Sequence, residues 1–282
     1  MSAPRALARE ACSIADWTVE SSRTGIVSQA RAREIESATG ARATPEMLFD
    51  SALTLAHVPS GTTLRFVAPD ALRAWVEGDL PAIKVAAAST WTAAHVERFG
   101  RDVAGGGGGW NSTEASESYD WTFTTPYGGS VATTSGRDAP EWRPSERKID
   151  REMLMARDPI LLYDELTLYE SEFDDHGVAH LGLKVRVMPK CWYVLLRFWL
   201  RVDGVLIRLR ETRFFCDVSR RDASGAAVVV RETQLREETW AALRARGAPC
   251  EPGQYPNPDE AASVLLAAGG PVEIAVHELA LA

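Results

Sequence analysis

Arg197, Arg201, Arg208 and Arg210 are four of the five arginines inside the most hydrophobic stretch of the chain, "WYVLLRFWLRVDGVLIRLRETRFF" (192–215), the fifth being Arg213. A guanidinium is planar and always charged. Its fork of donors fits a carboxylate or phosphate with two parallel hydrogen bonds. Strand side chains alternate between faces, and Asp203-Gly204 is a favoured two-residue hairpin turn. That turn predicts Val202 opposite Val205, Leu200 opposite Ile207 and Phe198 opposite Leu209, all on one apolar face. The other face then pairs Arg201 with Leu206, Trp199 with Arg208, and Arg197 with Arg210. Like charges opposed on a sheet repel, so this cluster calls for an anion, while Trp199 offers a ring on which a guanidinium gains about 0.5–2 kcal/mol. Three readings are open. Internal acids (Glu165, Glu170, Glu172, Asp174, Asp175) neutralise the cluster, or the face receives a carboxylate or acidic peptide from a partner, or it holds a phosphate for catalysis.

Other chemistry is sparse. "HGVAH" sets His176 and His180 four apart beside a glycine, without the Glu and the helix of a zinc-protease motif. No GxSxG elbow and no GxGxxG after a strand occurs. The glycine run in "VAGGGGGWNSTEASES" (103–118) is not followed by Gly-Lys-Ser/Thr, so it reads as a flexible loop and not as a phosphate cradle. No catalytic residue, metal ligand or cofactor site is singled out. Cys12, Cys191, Cys216 and Cys250 lie far apart, as expected of free thiols in a reducing compartment. Net charge is −8, whereas a chain-wide binder of nucleic acid or membrane surface would be basic. Any anion site must therefore be local. The N-terminal stretch lacks the apolar core of a signal peptide, and no window approaches the ~18 apolar residues of a membrane span. The expected location is the cytoplasm or the nucleus, with neither nucleic acid nor membrane as partner.

The elements that must position these residues are mostly strands. "DWTVESSRTGIVS" (16–28) has strand character, and 28–40 reads as a helix closed by Gly40. "LTLAHV" and "TTLRFV" flank "PSG" as a hairpin. A helix follows from Ala68 to Gly78, with Pro69 early in it. "AIKVAAA" and "YDWTFTTPY" (119–127) read as strands. "ARDPILLYDE" offers Asp158 as an N-cap with Pro159 at the first helical position. From 166 to 231 the pattern is of consecutive antiparallel strands, followed by helices near 234–246 and 257–268 and a last strand in "PVEIAVHELAL". The expected fold is α+β: a single domain over 16–282, an antiparallel sheet built as a meander of hairpins and flanked by helices. A flexible N-terminus (1–15) and loops near 103–118 and 128–146 complete it.

"PEMLF" (45–49), "DALRAW" (70–75), "YDWTFTT" (119–125), "DDHGVAHLGLKVRVMP" (174–189) and "LLRFWLRVDGVLIRLRETR" (195–213) follow one another here in an order that resembles the TIPRL (Tip-forty-one-like) family of TOR-signalling regulators. The resemblance runs from about Asp16 to about 246. It implies a non-enzymatic protein that binds catalytic subunits of type 2A Ser/Thr phosphatases, the type 4 and type 6 relatives included, and restrains or escorts them as a monomer. It also implies a cleft that receives the short acidic tail of the phosphatase with its free carboxylate. Arg186, Arg197, Arg201, Asp203, Arg208 and Arg213 occupy family motif positions, as do Asp70, Tyr119, Asp120 and Trp121; the resemblance implies that these are partner-binding, with some of the arginines lining the cleft to clamp the tail carboxylate and Asp70 on a contact surface. Arg210 stands where a polar residue is more usual, and Lys190 and Cys191 stand where small serines are. A small-molecule enzyme using the arginine groove, with an acid of 164–175 or His176 as base, is the competing expectation.

Overall fold

The structure is a computed structural model that describes residues 6–41, 43–78, 122–134, 138–173 and 177–281. The chain opens with β1 (Ala6–Ile14) and β2 (Trp17–Thr24), then α1 (Gln29–Thr39), β3 (Met47–Leu48), β4 (Ala52–His57), β5 (Thr62–Val67) and α2 (Ala68–Glu77). Next come β6 (Ser130–Thr133), β7 (Arg143–Pro144) and the short α3 (Arg151–Met155). Five long strands follow: β8 (Leu162–Ser171), β9 (Gly177–Met188), β10 (Cys191–Val202), β11 (Leu206–Asp217) and β12 (Ala227–Thr239). The chain closes with α4 (Trp240–Ala245), α5 (Pro258–Ala268) and β13 (Glu273–Leu281).

Two antiparallel sheets result. One has the order β1-β2-β4-β5-β6, the other β3-β8-β9-β10-β11-β12-β13-β7. Alternation does the sorting: in β10 the even residues Trp192, Val194, Leu196, Phe198, Leu200 and Val202 face the small sheet, in one core with Trp17, Leu53, Leu55 and Phe66. Trp17 meets Trp192 edge-on at 4.9 Å. On the outer face of the large sheet, Val178, Trp199, Ile207 and Leu209 pack under α4 and α5 with Trp240, Leu243, Tyr255 and Leu265.

Several local expectations change on folding. Residues 6–14, within the stretch expected to be flexible, pair along β2 from Ala6–Thr24 to Ile14–Trp17. No helix starts at Asp158. Instead Leu161 N donates to Val187 O at 2.8 Å, and Leu162 enters β8. The β-forming run Ile160–Tyr163 thus favours pairing over the weak helix signal, and the helix sits upstream, capped by Asp150 onto Met153 N at 2.9 Å. The helix expected near 234 begins only at Trp240, because Gln234–Thr239 stay paired to Glu211–Leu206 and Thr239 supplies the cap. Residues 122–129 form no strand, and the stretch 128–146 contains β6 and β7. "AIKVAAA" and the glycine-rich loop lie outside the described residues.

The largest change is the β10–β11 register. A type I′ turn needs left-handed backbone at both central residues, and only Gly204 has it, with φ 73°. Val205 N donates to Val202 O at 3.0 Å, and Val202 pairs with Leu206. The loop is therefore three residues long, and every pair slips by one: Arg201 faces Ile207, Phe198 faces Arg210 and Arg197 faces Glu211. A slip of one sends side chains to the opposite face. Arg197 and Arg201 project outward while Arg208 and Arg210 project inward, so the four-arginine cluster does not form.

Candidate anion-binding site

On the outer face, carboxylates hold most of the arginines. Arg197 donates to Glu211 Oε1 at 2.9 and 2.6 Å and to Asp259 Oδ1 at 2.5 Å. Arg213 bonds Glu232 at 2.8 Å and also Glu211. Arg201 Nη1 donates to Tyr255 O at 3.0 Å, and its Nε lies 2.8 Å from Asp203 Oδ1 but off the line of a hydrogen bond. Among the described residues the neutralising acids on this face are thus Glu211, Glu232 and Asp259, while Glu165 of β8 reaches Lys184 at 3.5 Å. Asp174, Asp175 and His176 lie outside the described residues, as do Tyr119, Asp120 and Trp121. Arg186 sits between Tyr163 and Tyr193 in the register, with a buried Nε that has no partner among the described residues.

The inner face differs. Thr122–Gly129 threads between α2 and β11. Thr125 Oγ donates to Ala71 O at 2.9 Å, Tyr169 Oη to Phe123 O at 2.8 Å, and Tyr127 Oη to Arg65 O at 3.0 Å. Burial pushes the Tyr127 phenol up to about 12, so it serves as a neutral donor. Arg208 is fixed by Glu237 at 2.6 Å and by Thr124 at 3.0 Å. Among the described residues Arg210 has only Pro126 O as a hydrogen-bond partner, at 3.3 Å from its Nη2. Arg231, on β12, lies under Trp142 with its guanidinium carbon 4.3 Å from the ring centre. Among the described residues neither Arg210 nor Arg231 has a carboxylate within ion-pair distance. Their Nε atoms are buried without a partner, and so is Nδ1 of His277, which pairs with Arg231 across β12–β13.

The electrostatics match this geometry. Burial, reinforced by the charge of Arg210, lowers Arg231 to about 10, and burial lowers Arg210 against the opposing pull of Glu273. Burial and then Arg231 lower His277. Buried like charges without a carboxylate in ion-pair contact are costly, and Arg210 and Arg231 each keep a buried Nε–H without a partner among the described residues. Beside them lies a depression of about 460 Å³, lined by Asp70, Arg73, Glu77, Tyr127, Gly129 and Ser130, among others. Asp70 does not cap its helix. It accepts from Ser130 Oγ at 2.7 Å and from Arg73 at 3.2 Å. A Cβ on Gly128 would come within 3.6 Å of Arg231 Nη1, which shows how closely this wall approaches the cations.

A second depression, of about 260 Å³, lies beneath the start of α5 and includes His180, Thr167, Gly182, Lys184, Arg197 and Asp259. Burial and Arg197 lower His180 to about 4, too weak a base for proton abstraction near neutral pH. The four cysteines are free, and burial raises Cys191 to about 11 and Cys216 to about 12. Such thiols are unreactive. Among the described residues no cluster of metal-ligating side chains occurs, and no helix is long and apolar enough to cross a membrane.

The structure therefore brings together Arg210, Arg231, His277 and Trp142, of which sequence reasoning weighed only Arg210. Arg231 ends an apolar run and His277 sits in the last strand, and nothing in their spacing announces that they meet. The only signal was the arginine-rich hairpin itself.

Fold and site together define an α+β protein whose large sheet carries, on its inner face, two arginines without a carboxylate in ion-pair distance among the described residues. The TIP41-like family model matches residues 47–244. A TIP41-like protein of Arabidopsis thaliana is 39% identical over 263 residues, covering 89% of this chain and 85% of that protein. The TIP41-like protein of Homo sapiens is 35% identical over 228 residues, covering 80% and 76%. The type 2A phosphatase activator TIP41 of Saccharomyces cerevisiae is 31% identical over 233 residues, covering 79% and 61%. The chain belongs to the TIP41-like family.

Proposed function

We propose that this chain is a non-enzymatic regulator that binds the catalytic subunit of type 2A-family Ser/Thr phosphatases, types 4 and 6 included. It acts as a monomer in TOR-linked signalling, in the cytoplasm or the nucleus. Family membership supports the phosphatase partner, and the yeast relative's name carries it directly. One observation carries the mode of binding: Arg210 and Arg231 lie beside His277 with partnerless Nε atoms and no carboxylate within ion-pair distance among the described residues. In this reading the inner face is the cleft, and an acidic tail enters it with its terminal carboxylate on the two guanidinium groups. Asp70 and Ser130 form the lip against the body of the partner. Tyr119, Asp120 and Trp121 immediately precede the segment that carries this wall. Arg197, Arg201, Asp203, Arg208 and Arg213 then hold the hairpin together and do not touch the partner, while Arg186 serves a separate outer surface.

Charge reversal separates the two faces. Arg210→Glu with Arg231→Glu weakens binding of the catalytic subunit by about 30-fold or more, the effect of removing desolvated charge partners. The outer swap Arg213→Glu with Glu232→Arg leaves it unchanged. Titration calorimetry on variants with native circular dichroism reads both. Wild-type affinity in the inner variant would contradict the clamp.

A further inference from the structure

Residues 138–150 run as an extended strap along the edge of β13 away from β12. They pair there only briefly: Arg143 with Glu278, Pro144 with His277, and Ser145 N donating to Val276 O at 3.0 Å. The strap's alternate residues face opposite ways. Trp142 turns inward, covers Arg231 at 4.3 Å and packs against Phe214 at 5.9 Å. Ser145 turns outward, and its hydroxyl donates to Glu278 Oε2 at 2.7 Å. Arg147 Nε donates to the same oxygen at 2.8 Å, and Arg147 N donates to Ser145 Oγ at 3.1 Å. A single carboxylate oxygen therefore fastens the strap through a neutral hydroxyl and a guanidinium.

The flanking chemistry is that of a kinase substrate. Arg143 precedes Ser145 by two, Arg147 follows by two and Lys148 by three, and Arg143, Pro144, Glu146, Arg147 and Lys148 are all exposed. An extended segment with basic residues on both sides suits a kinase whose substrate groove is acidic, since charge pattern sets kinase selectivity.

We propose that Ser145 is a phosphoacceptor for a basophilic protein kinase and that its phosphorylation releases the strap, taking Trp142 off Arg231. Oγ attacks the γ-phosphorus of a nucleoside triphosphate held by the kinase. The new O–P bond forms as the bond to the bridging oxygen breaks, the hydroxyl proton passes to the kinase's base, and the diphosphate leaves. The product carries about −1.5 to −2 charge where a neutral donor met Glu278. The donor is gone, two anions face each other, and Arg147 is drawn to the phosphate. Glu278 loses both partners. Only the consequence for partner binding rests on reading Arg231 as part of the anion-receiving surface; modification and release do not.

The full chain, treated with ATP and a kinase that selects basic residues on both sides of serine, is mapped by mass spectrometry and by hydrogen exchange. One phosphate is expected at Ser145, absent in Ser145→Ala. Exchange across 142–147 accelerates about tenfold or more, as when an edge segment opens locally. Glu278→Gln removes the repelling charge and keeps the phosphorylated strap protected. A synthetic acidic peptide with a free carboxylate binds the phosphorylated chain more tightly than the unmodified one. No phosphate at Ser145, or unchanged exchange after phosphorylation, would overturn the inference. Release without peptide binding by either form would sink the anion-receiving reading and leave the phosphoacceptor standing.

Discussion

Arg197 and Arg231 are chemically the same side chain with opposite effects on folding. Arg197 is nearly buried, and two carboxylates neutralise it. Arg197→Met would leave Glu211 with Arg213 as its remaining cation and cost about 2 kcal/mol, the worth of hydrogen bonds to a charged group, seen as a lower urea midpoint. Arg231 has an aromatic ring but no carboxylate among the described residues. Arg231→Met should leave stability within about 1 kcal/mol of wild type while weakening tail-dependent binding. His180 offers a pH test. Its pKa is about 4 in the fold, against an ordinary 6.5, because burial disfavours the charged form. Between these values the unfolded chain binds more protons, so stability rises with pH through this window. His180 costs nothing above pH 6.5 and up to about 3 kcal/mol by pH 4. His180→Phe loses little, since among the described residues Nδ1 has no partner and Nε2 only approaches Thr167 at 3.5 Å. The difference in urea midpoint between wild type and variant should grow as pH falls from 6.5 to 4.5. A constant difference would contradict the assignment.

Among the elements, the β10–β11 hairpin decides which arginines can receive a ligand. Its turn depends on Gly204 at φ 73°, where a Cβ meets no neighbour, so the penalty is purely conformational. Gly204→Ala should cost about 1 kcal/mol, and Gly204→Asn less, because asparagine tolerates this backbone; thermal denaturation reads both. Much at this scale was legible in the sequence. Ser28 caps α1 and Gly40 closes it at φ 72°, Asn257 caps α5, and the β4–β5 hairpin forms around Pro59-Ser60-Gly61. These signals are local, and local chemistry settles them. The register was not legible, because "DG" fits a two-residue turn as well as a longer loop. The choice between them depends on how Ile207 and Leu209 fit beneath Trp240 and Tyr255, residues far along the chain. The site failed to show for the same reason. Arg210, Arg231, His277 and Trp142 belong to four segments, and only sheet order brings them together.

At the scale of the whole molecule, the large sheet serves two purposes on its two faces. Outside, α4 and α5 cover it, and Asp259 at the start of α5 ties down Arg197 and Lys184. Inside, the small sheet covers β8–β10 with apolar side chains, while the inner side of β11–β13 carries Arg210, Arg231 and His277 beside the depression at Asp70 and Ser130. On a chain of net charge −8, Arg210 and Arg231 form a local cationic pair that a local negative charge on a partner would complement. The most direct test is calorimetric titration of this chain with a type 2A phosphatase catalytic subunit, intact and then lacking its C-terminal tail. Binding to the intact subunit that weakens on removal of the tail is the expected result. Equal binding to both forms would contradict the carboxylate clamp, and no binding to either would contradict the phosphatase partner itself.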